Sequence, residues 1–316
     1  MVVVAPPEEF TDLVGCRRPL QLAPMGGGVG TPDLAVAVCR AGGLGMISAS
    51  HLVPLAVQLQ ALAAAEATPF GVGFFGWELS HRVADVELAS SRARVIDVFW
   101  GVPKASVADR VHQGGALVFC QVGSRDEARA AADAGCDVLV AQGVEAGGHV
   151  RGTTPLLDLL DQVLACVPVP VVAAGGIATN ARVREVFAAG ASAIRVGTRL
   201  LATTDSGAHP DYLAALLAAG AEDTTLTTKF HLGWEDAPHR VLASALAAAA
   251  RMRDATVGET TVGDRHWLIP AGSSQPPSTY CTGQVAAMAL YAGTGVSNIV
   301  DLPTAEEAIG RLLGDQ

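Results

Sequence analysis

The chain has 316 residues, half of them apolar and only 16% charged, which suits a compact protein with a large buried core rather than a disordered or repeat chain. Its 21 basic and 31 acidic side chains leave a net charge of −10 without a basic cluster, so neither nucleic acid nor an anionic membrane is an expected partner. The six cysteines form no C-x-x-C pair, MVVVAPPEEF lacks a basic leader, and no apolar run reaches about 18 residues; small core thiols and a cytoplasmic location are expected.

Short β-branched apolar runs alternate along the chain with Ala-rich stretches of helical period. Strands are predicted at 19–23, 44–48, 70–75, 95–99, 116–122, 137–142, 169–174 and 193–197. Helices are predicted at 32–41, 54–65, 79–92, 105–113, 124–135, 154–165, 179–189 and 210–219. Thr31-Pro32-Asp33, and Ser124 with Glu127 as a capping box, mark helix starts, while Gly42, Gly135 and Gly190 mark left-handed stops. Eight strands each followed by a helix make an α/β fold of the (β/α)8 TIM-barrel type.

After the eighth unit the periodicity weakens and Thr, Trp, His and Pro become commoner. Residues 206–275 are read as a smaller inserted lid or substrate domain, which assigns 1–205 plus 276–316 to the barrel. A helical pattern resumes from Tyr280 to about Tyr291 and again over 304–313.

In such a barrel the site forms at the C-terminal ends of the strands. Glycines crowd there: Met25-Gly-Gly-Gly-Val-Gly30 after the first strand, 143–152 after the sixth, Gly175-Gly176 after the seventh and Gly197-Thr198 after the eighth. Without a Cβ, a backbone can approach a phosphate and aim its N–H groups at it, the use expected of the last two loops, although each is also an ordinary strand-to-helix turn. With only Lys104 and Lys229 in the chain, backbone and arginine must hold any phosphate. The first loop imitates a dinucleotide fingerprint, but Ser48-Ala-Ser-His51 stands where an acidic ribose ligand belongs.

Among eight histidines, His51, His81, His112 and His209 fall at helix starts or faces, and His239 and His266 in the insertion. His149 instead lies in the glycine-dense loop after the sixth strand, and imidazole suits proton transfer near neutrality. No H-x-x-x-H, H-E-x-x-H or cysteine cluster suggests a metal, Glu145 and His149 being a lone pair of ligands, and G-x-S-x-G is absent.

Ala23-Pro-Met25, Ala41-Gly-Gly-Leu-Gly45, Gln142-Gly-x-Glu-Ala-Gly-Gly-His149, Ala174-Gly-Gly-Ile177, Val196-Gly-Thr-Arg199, the Ala-Thr-Thr-Asp-Ser stretch that runs to Pro210 and Ala237-Pro-His-Arg-Val-Leu242 together resemble the nitronate monooxygenase (2-nitropropane dioxygenase-like) family. The resemblance spans about residues 19–300. It implies a TIM barrel binding FMN non-covalently, with Gly175, Gly176, Gly197 and Thr198 on the phosphate. Pro24 and Met25, with Gly26 beside them, would lie against the isoalloxazine; Gln142, Gly147 and Gly148 would line the ribityl chain and ring edge; His149 would face the substrate. Two departures stand out. Gly73 replaces an asparagine frequent in the family, and Gln121 replaces a lysine that some members carry near the cofactor.

The activity so implied is oxidation of alkyl nitronates, and of nitroalkanes if His149 acts as a base, with O2 to a carbonyl compound and nitrite. The alternative keeps fold and cofactor but reduces a quinone or enoyl thioester with NAD(P)H, Arg240 and Trp234 being candidate nucleotide contacts. A third reading is a flavin-binding sensor without turnover. Phe74, Phe75, Trp77, Trp100, His231 and Trp234 are candidates for shaping the pocket, whereas Phe99 and Phe119 are expected in the core. The expected partners are a small-molecule substrate and O2; oligomeric state is open, a homodimer included.

Overall fold

A computed structural model of the chain describes residues 7–49 and 52–315; His51 and the first six residues lie outside them. Strands β1 (Leu20–Leu22), β2 (Gly45–Ser48), β3 (Phe70–Phe75), β4 (Val95–Phe99), β5 (Leu117–Val122) and β6 (Val138–Gln142) follow in the expected order. Next comes β7 (Gly148–His149), which stands outside the barrel, so the seventh and eighth barrel strands are β8 (Val171–Ala174) and β9 (Ala193–Val196).

All the barrel pairings are parallel, in the order β1-β9-β8-β6-β5-β4-β3-β2. The seam closes where Leu44 N donates to Leu20 O at 2.8 Å and Leu22 N to Leu44 O at 3.0 Å. The fold is a (β/α)8 barrel. Its strands read as continuous apolar runs because helices cover the outside and side chains fill the inside, leaving neither face to water.

The helices start and stop for the reasons the sequence shows, with one correction. Thr31 Oγ1 accepts from Leu34 N, and Gly42, Gly135 and Gly190 take φ of +93°, +88° and +102°. Ser124 accepts from Glu127 N, but the Glu127 carboxylate turns to Gly123 N at 2.8 Å instead of Ser124 N, so the box is only half formed. A complete box caps the final helix at Thr304 and Glu307. The cysteines are free thiols, all buried except the partly buried Cys166, and among the described residues no helix is long and apolar enough to cross a membrane.

Over the C-terminal end of the barrel lies a cap. Strands β10 (Thr224–Thr227) and β11 (His239–Leu242) pair antiparallel, and β11 pairs in turn with β7, setting His239 opposite His149. A second sheet holds β12 (Thr256–Val262) between β13 (Arg265–Pro270) and β14 (Cys281–Gly283). The helix expected over 280–291 is not formed: β14 takes its start and a single 3-10 turn, Val285–Ala287, follows. Ala and Leu favour helix there, but Gln284 N donates to Val257 O, and Leu290 O accepts from Leu242 N, so tertiary pairing uses the backbone first.

We propose the cap as the inserted unit expected at 206–275. Its hydrophobic cluster joins Tyr212, Phe230 and Leu242 to Leu290 and Ile299, and thereby extends beyond residue 275.

Candidate active site

Between the strand ends and the cap lies a cavity of about 610 Å³, a size suited to a cofactor with its substrate. Pro24, Met25 and Gly26 form one wall; Gln142, Gly147, Gly148 and His149 form another; Gly197 and Thr198 close the end of the eighth barrel strand. Gly175 and Gly176 stand outside this lining. Their φ values are +118° and +67°, and a Cβ on Gly175 would sit 3.1 Å from Ala146 N, one on Gly176 3.0 Å from Thr294 Oγ1. The 143–146 loop packs close against Gly175, and Thr294 with Glu145 against Gly176.

At Gly197 an added Cβ would meet only Ala23 Cβ, at 3.5 Å, and at Gly148 nothing within 4 Å, so both backbones are open to a ligand. Gly197 precedes the short helix Thr198–Leu201, whose first amides have no partner within the helix. The Thr198 hydroxyl accepts from Gly293 N at 3.0 Å and keeps its own proton to donate.

Gln142, at the end of β6, and Glu145, in the loop after it, both hold backbone in place. Gln142 donates from Nε2 to His149 O at 3.0 Å and accepts from Arg151 N at 3.3 Å, fixing the backbone on either side of Val150. Glu145 accepts from Leu156 N at 3.0 and 3.1 Å and pairs with Arg182 at 3.5 Å, so its carboxylate caps a helix start and points away from His149.

His149 lies flat against Trp234, with Tyr291 and His239 at ring-centroid distances of 5.5 and 5.2 Å. Its Nε2 is buried and has no hydrogen-bond partner. Burial, and then the charge His239 would carry, hold its pKa down to about 3. His239 is itself neutral and of fixed tautomer: Nε2 accepts from Phe230 N at 3.3 Å, so Nδ1 carries the proton given to Ala237 O at 2.9 Å.

Trp234 is the hub of an aromatic cluster, with Phe75, Trp77, Trp100 and Phe99 at 4.8, 4.8, 5.0 and 5.4 Å. Phe99 is thus corrected from core to cavity wall, because it ends β4 beneath Trp234; Phe119 is core, packed on Phe10. His231 and Arg240 do not reach the cavity. His231 is exposed, and Arg240 donates to Val144 O and Thr224 Oγ1. His209 accepts from Asp211 N as a helix cap, as expected.

The sequence reading missed a polar network inside the barrel. Arg195 donates from Nε to Gln21 Oε1 and from Nη1 to Gln121 Oε1, each at 3.0 Å, and from Nη2 to Asp97. The signal was available: a charge in the middle of an apolar parallel strand, as in Val95–Phe99 and Ala193–Val196, must find its opposite. The positive charge expected to be lost at Gln121 is present one side chain away.

A family model described as nitronate monooxygenase matches residues 8–83 and 76–315. The chain belongs to the nitronate monooxygenase family. Within it, similarity runs in more than one direction. The chain is 28% identical to a nitronate monooxygenase of Pseudomonas aeruginosa over 95% of this chain and 96% of that one. It is also 28% identical to a (3aS,4S,5R,7aS)-5-hydroxy-7a-methyl-1-oxo-octahydro-1H-indene-4-carboxyl-CoA dehydrogenase of Rhodococcus jostii, over 97% and 94% of the two chains. Among solved structures, nitroalkane oxidase from Streptomyces ansochromogenes superposes with a TM-score of 0.76 at 30% identity, covering 97% of both chains. This family member is therefore an oxidoreductase.

The family is flavin-dependent, and the cavity fits such a group on its own terms. Gln121 Nε2 is a buried donor without a protein acceptor, the backbones of Gly148 and Gly197 are open, and Pro24 and Met25 offer an apolar face.

Proposed function

We propose that this protein oxidises alkyl nitronates to a carbonyl compound and nitrite, using FMN and O2. The carrying observation is the neutral His149, whose unpartnered Nε2 is buried beside the cavity. A neutral imidazole offers one N–H and one lone pair. As a donor it can hydrogen-bond the oxygen of a nitronate; as a base it can take the α-proton of a neutral nitroalkane. The lowered pKa favours the first role, since an imidazole that holds a proton poorly has little drive to abstract one, while its N–H needs no prior protonation to receive an anion.

In this reading Gly197 and Thr198 hold the phosphate through backbone amides and a hydroxyl. Pro24, Met25 and Gly26 bear on the ring, and Gly147 and Gly148 leave room along the ring edge. When bound, FMN supplies electron acceptance from the substrate and electron delivery to O2. The chain's own residues orient and exclude water: Gln142 holds the His149 backbone, and Trp234, Phe99 and Tyr291 wall the cavity with apolar rings.

A second reading, NAD(P)H-dependent reduction of a quinone or enoyl thioester, draws on the likeness to the carboxyl-CoA dehydrogenase. Of its two candidate nucleotide contacts, Arg240 is already committed to Val144 and Thr224, whereas Trp234 lines the cavity. Anaerobic mixing of holoprotein with propionate 3-nitronate and, separately, with NADH decides between the two. Bleaching of the flavin band by the nitronate is the expected result; bleaching by NADH alone would transfer the function to the second reading.

A further inference from the structure

We infer that the cavity wall beside His149 is a subsite for a flat aromatic ring, so that the substrates this site takes best are arylalkyl nitronates. This substrate class rests on the nitronate reading above. It follows from where the chain places its largest rings: of four tryptophans, Trp234 and Trp267 line the cavity, and Trp77 and Trp100 pack against Trp234. Phe75, Phe99 and Trp234 line the cavity and are only half-buried, which leaves ring surface for a ligand to cover.

Trp234 crosses Phe75, Trp77, Phe99 and Trp100 at 70°, 72°, 74° and 77°, while Phe75 and Trp77 stack on each other at 4.7 Å. Walls built of crossed rings offer a flat ring the edge-to-face and offset contacts they make with one another; an alkyl chain gains burial alone. Trp100 holds φ at +62°, a left-handed backbone that a bulky side chain adopts at a cost, offset here by its ring contacts with Trp234 and Phe99 at 5.0 and 5.6 Å. Charge selects in the same direction. Of the two charged side chains in the lining, Arg195 is paired with Asp97, and Arg265 lies over Trp267, outside the Trp234 cluster, and donates to Leu52 O. A carboxylate on the substrate's tail would therefore lose water against electron-rich ring faces without a cation among them.

The test compares kcat/KM of the FMN-loaded protein on preformed nitronates of 1-nitro-2-phenylethane, 1-nitro-2-cyclohexylethane, 1-nitrobutane and 3-nitropropionate. The phenyl compound should exceed the cyclohexyl one about threefold and the butyl one about tenfold, with propionate 3-nitronate turned over least efficiently. Phe75→Leu, which keeps apolar bulk but no ring, should shrink the phenyl advantage about threefold, chiefly through KM. Because all four tryptophans stand at this cavity, their fluorescence reports binding without turnover: benzamide should saturate the signal at concentrations where butyramide does not. A phenyl compound no better than its cyclohexyl counterpart, with 1-nitrobutane nitronate still oxidised, overturns the inference alone, as does a benzamide titration that matches butyramide. A wild-type protein that oxidises none of the four nitronates overturns the nitronate reading and this substrate class with it.

Discussion

The imidazole of His149 lies on the indole of Trp234 with ring centroids 3.7 Å apart and planes only 21° from parallel. The barrel loop contributes the first ring and the cap contributes the second. Much of the desolvation that keeps His149 neutral therefore comes from a residue of the cap.

Trp234→Ala should uncover the imidazole and move its pKa from about 3 up towards the ordinary histidine value. The ring-proton shifts of His149, followed by NMR from pH 4 to 8, report this directly. A midpoint that stays low would assign the desolvation to Tyr291 and the barrel walls instead.

Since His149 is neutral across pH 5 to 8, turnover of a preformed nitronate should show no limb from its ionisation in that range. His149→Asn keeps a hydrogen-bond donor but no base. Because an imidazole with a pKa of about 3 holds a proton poorly, the donor role predicts similar losses, roughly tenfold or less, on a preformed nitronate and on its neutral nitroalkane. A loss on the neutral nitroalkane far beyond that on the nitronate would assign His149 the base role.

The same depressed pKa makes stability depend on pH. Below about pH 6.5 the unfolded chain binds a proton that folded His149 refuses, so stability present at pH 7 is lost as pH falls towards 3, by up to about 1.4 kcal/mol per unit. Melting curves at pH 7.5 and 5 should differ more in wild type than in His149→Asn. An identical difference would place the acid sensitivity elsewhere.

Gln142→Leu removes both anchors of the 149–151 backbone while leaving β6 apolar. Turnover should fall by roughly 10–100-fold, the range that loss of a supporting hydrogen-bond shell commonly costs, with the melting temperature lowered only slightly. A collapse of the melting temperature to match the activity would make Gln142 a residue of the core rather than of the site.

Gly73 is fixed by close approach: a Cβ there would stand 2.6 Å from Pro24 Cβ. The asparagine frequent in the family therefore cannot be restored alone. Gly73→Ala should cost about 1–3 kcal/mol by overpacking and weaken FMN through the displaced Pro24. Undiminished FMN affinity would show that Pro24 does not touch the cofactor.

The barrel was legible in the sequence because its strands are short and largely apolar, because most are followed closely by glycine, and because helix caps such as Thr31 and stops such as Gly135 are local devices. Most of the cavity lining was legible for the same reason: strand ends lie near one another in any barrel, so Met25, His149 and Thr198 could be grouped without coordinates. The cap was not. Its pairings join β7 to β11 and β12 to β14 across long stretches of chain, and residues 285–290 have a helical composition that those pairings override. Arg195 escaped notice because it is one charge in an apolar strand, informative only once Asp97 is considered with it.

One consequence of the β7–β11 pairing concerns the order in which the protein can become active. During synthesis, the strands of the barrel, with His149 among them, leave the ribosome before His239 has been made. The imidazole has no strand to lie against, and no indole above it, until the cap sequence has followed. The helix Ala305–Leu313, which follows the cap in the chain, buries Ala308, Ile309 and Leu312 in the barrel core, so barrel and reaction chamber are completed together by the last segments translated.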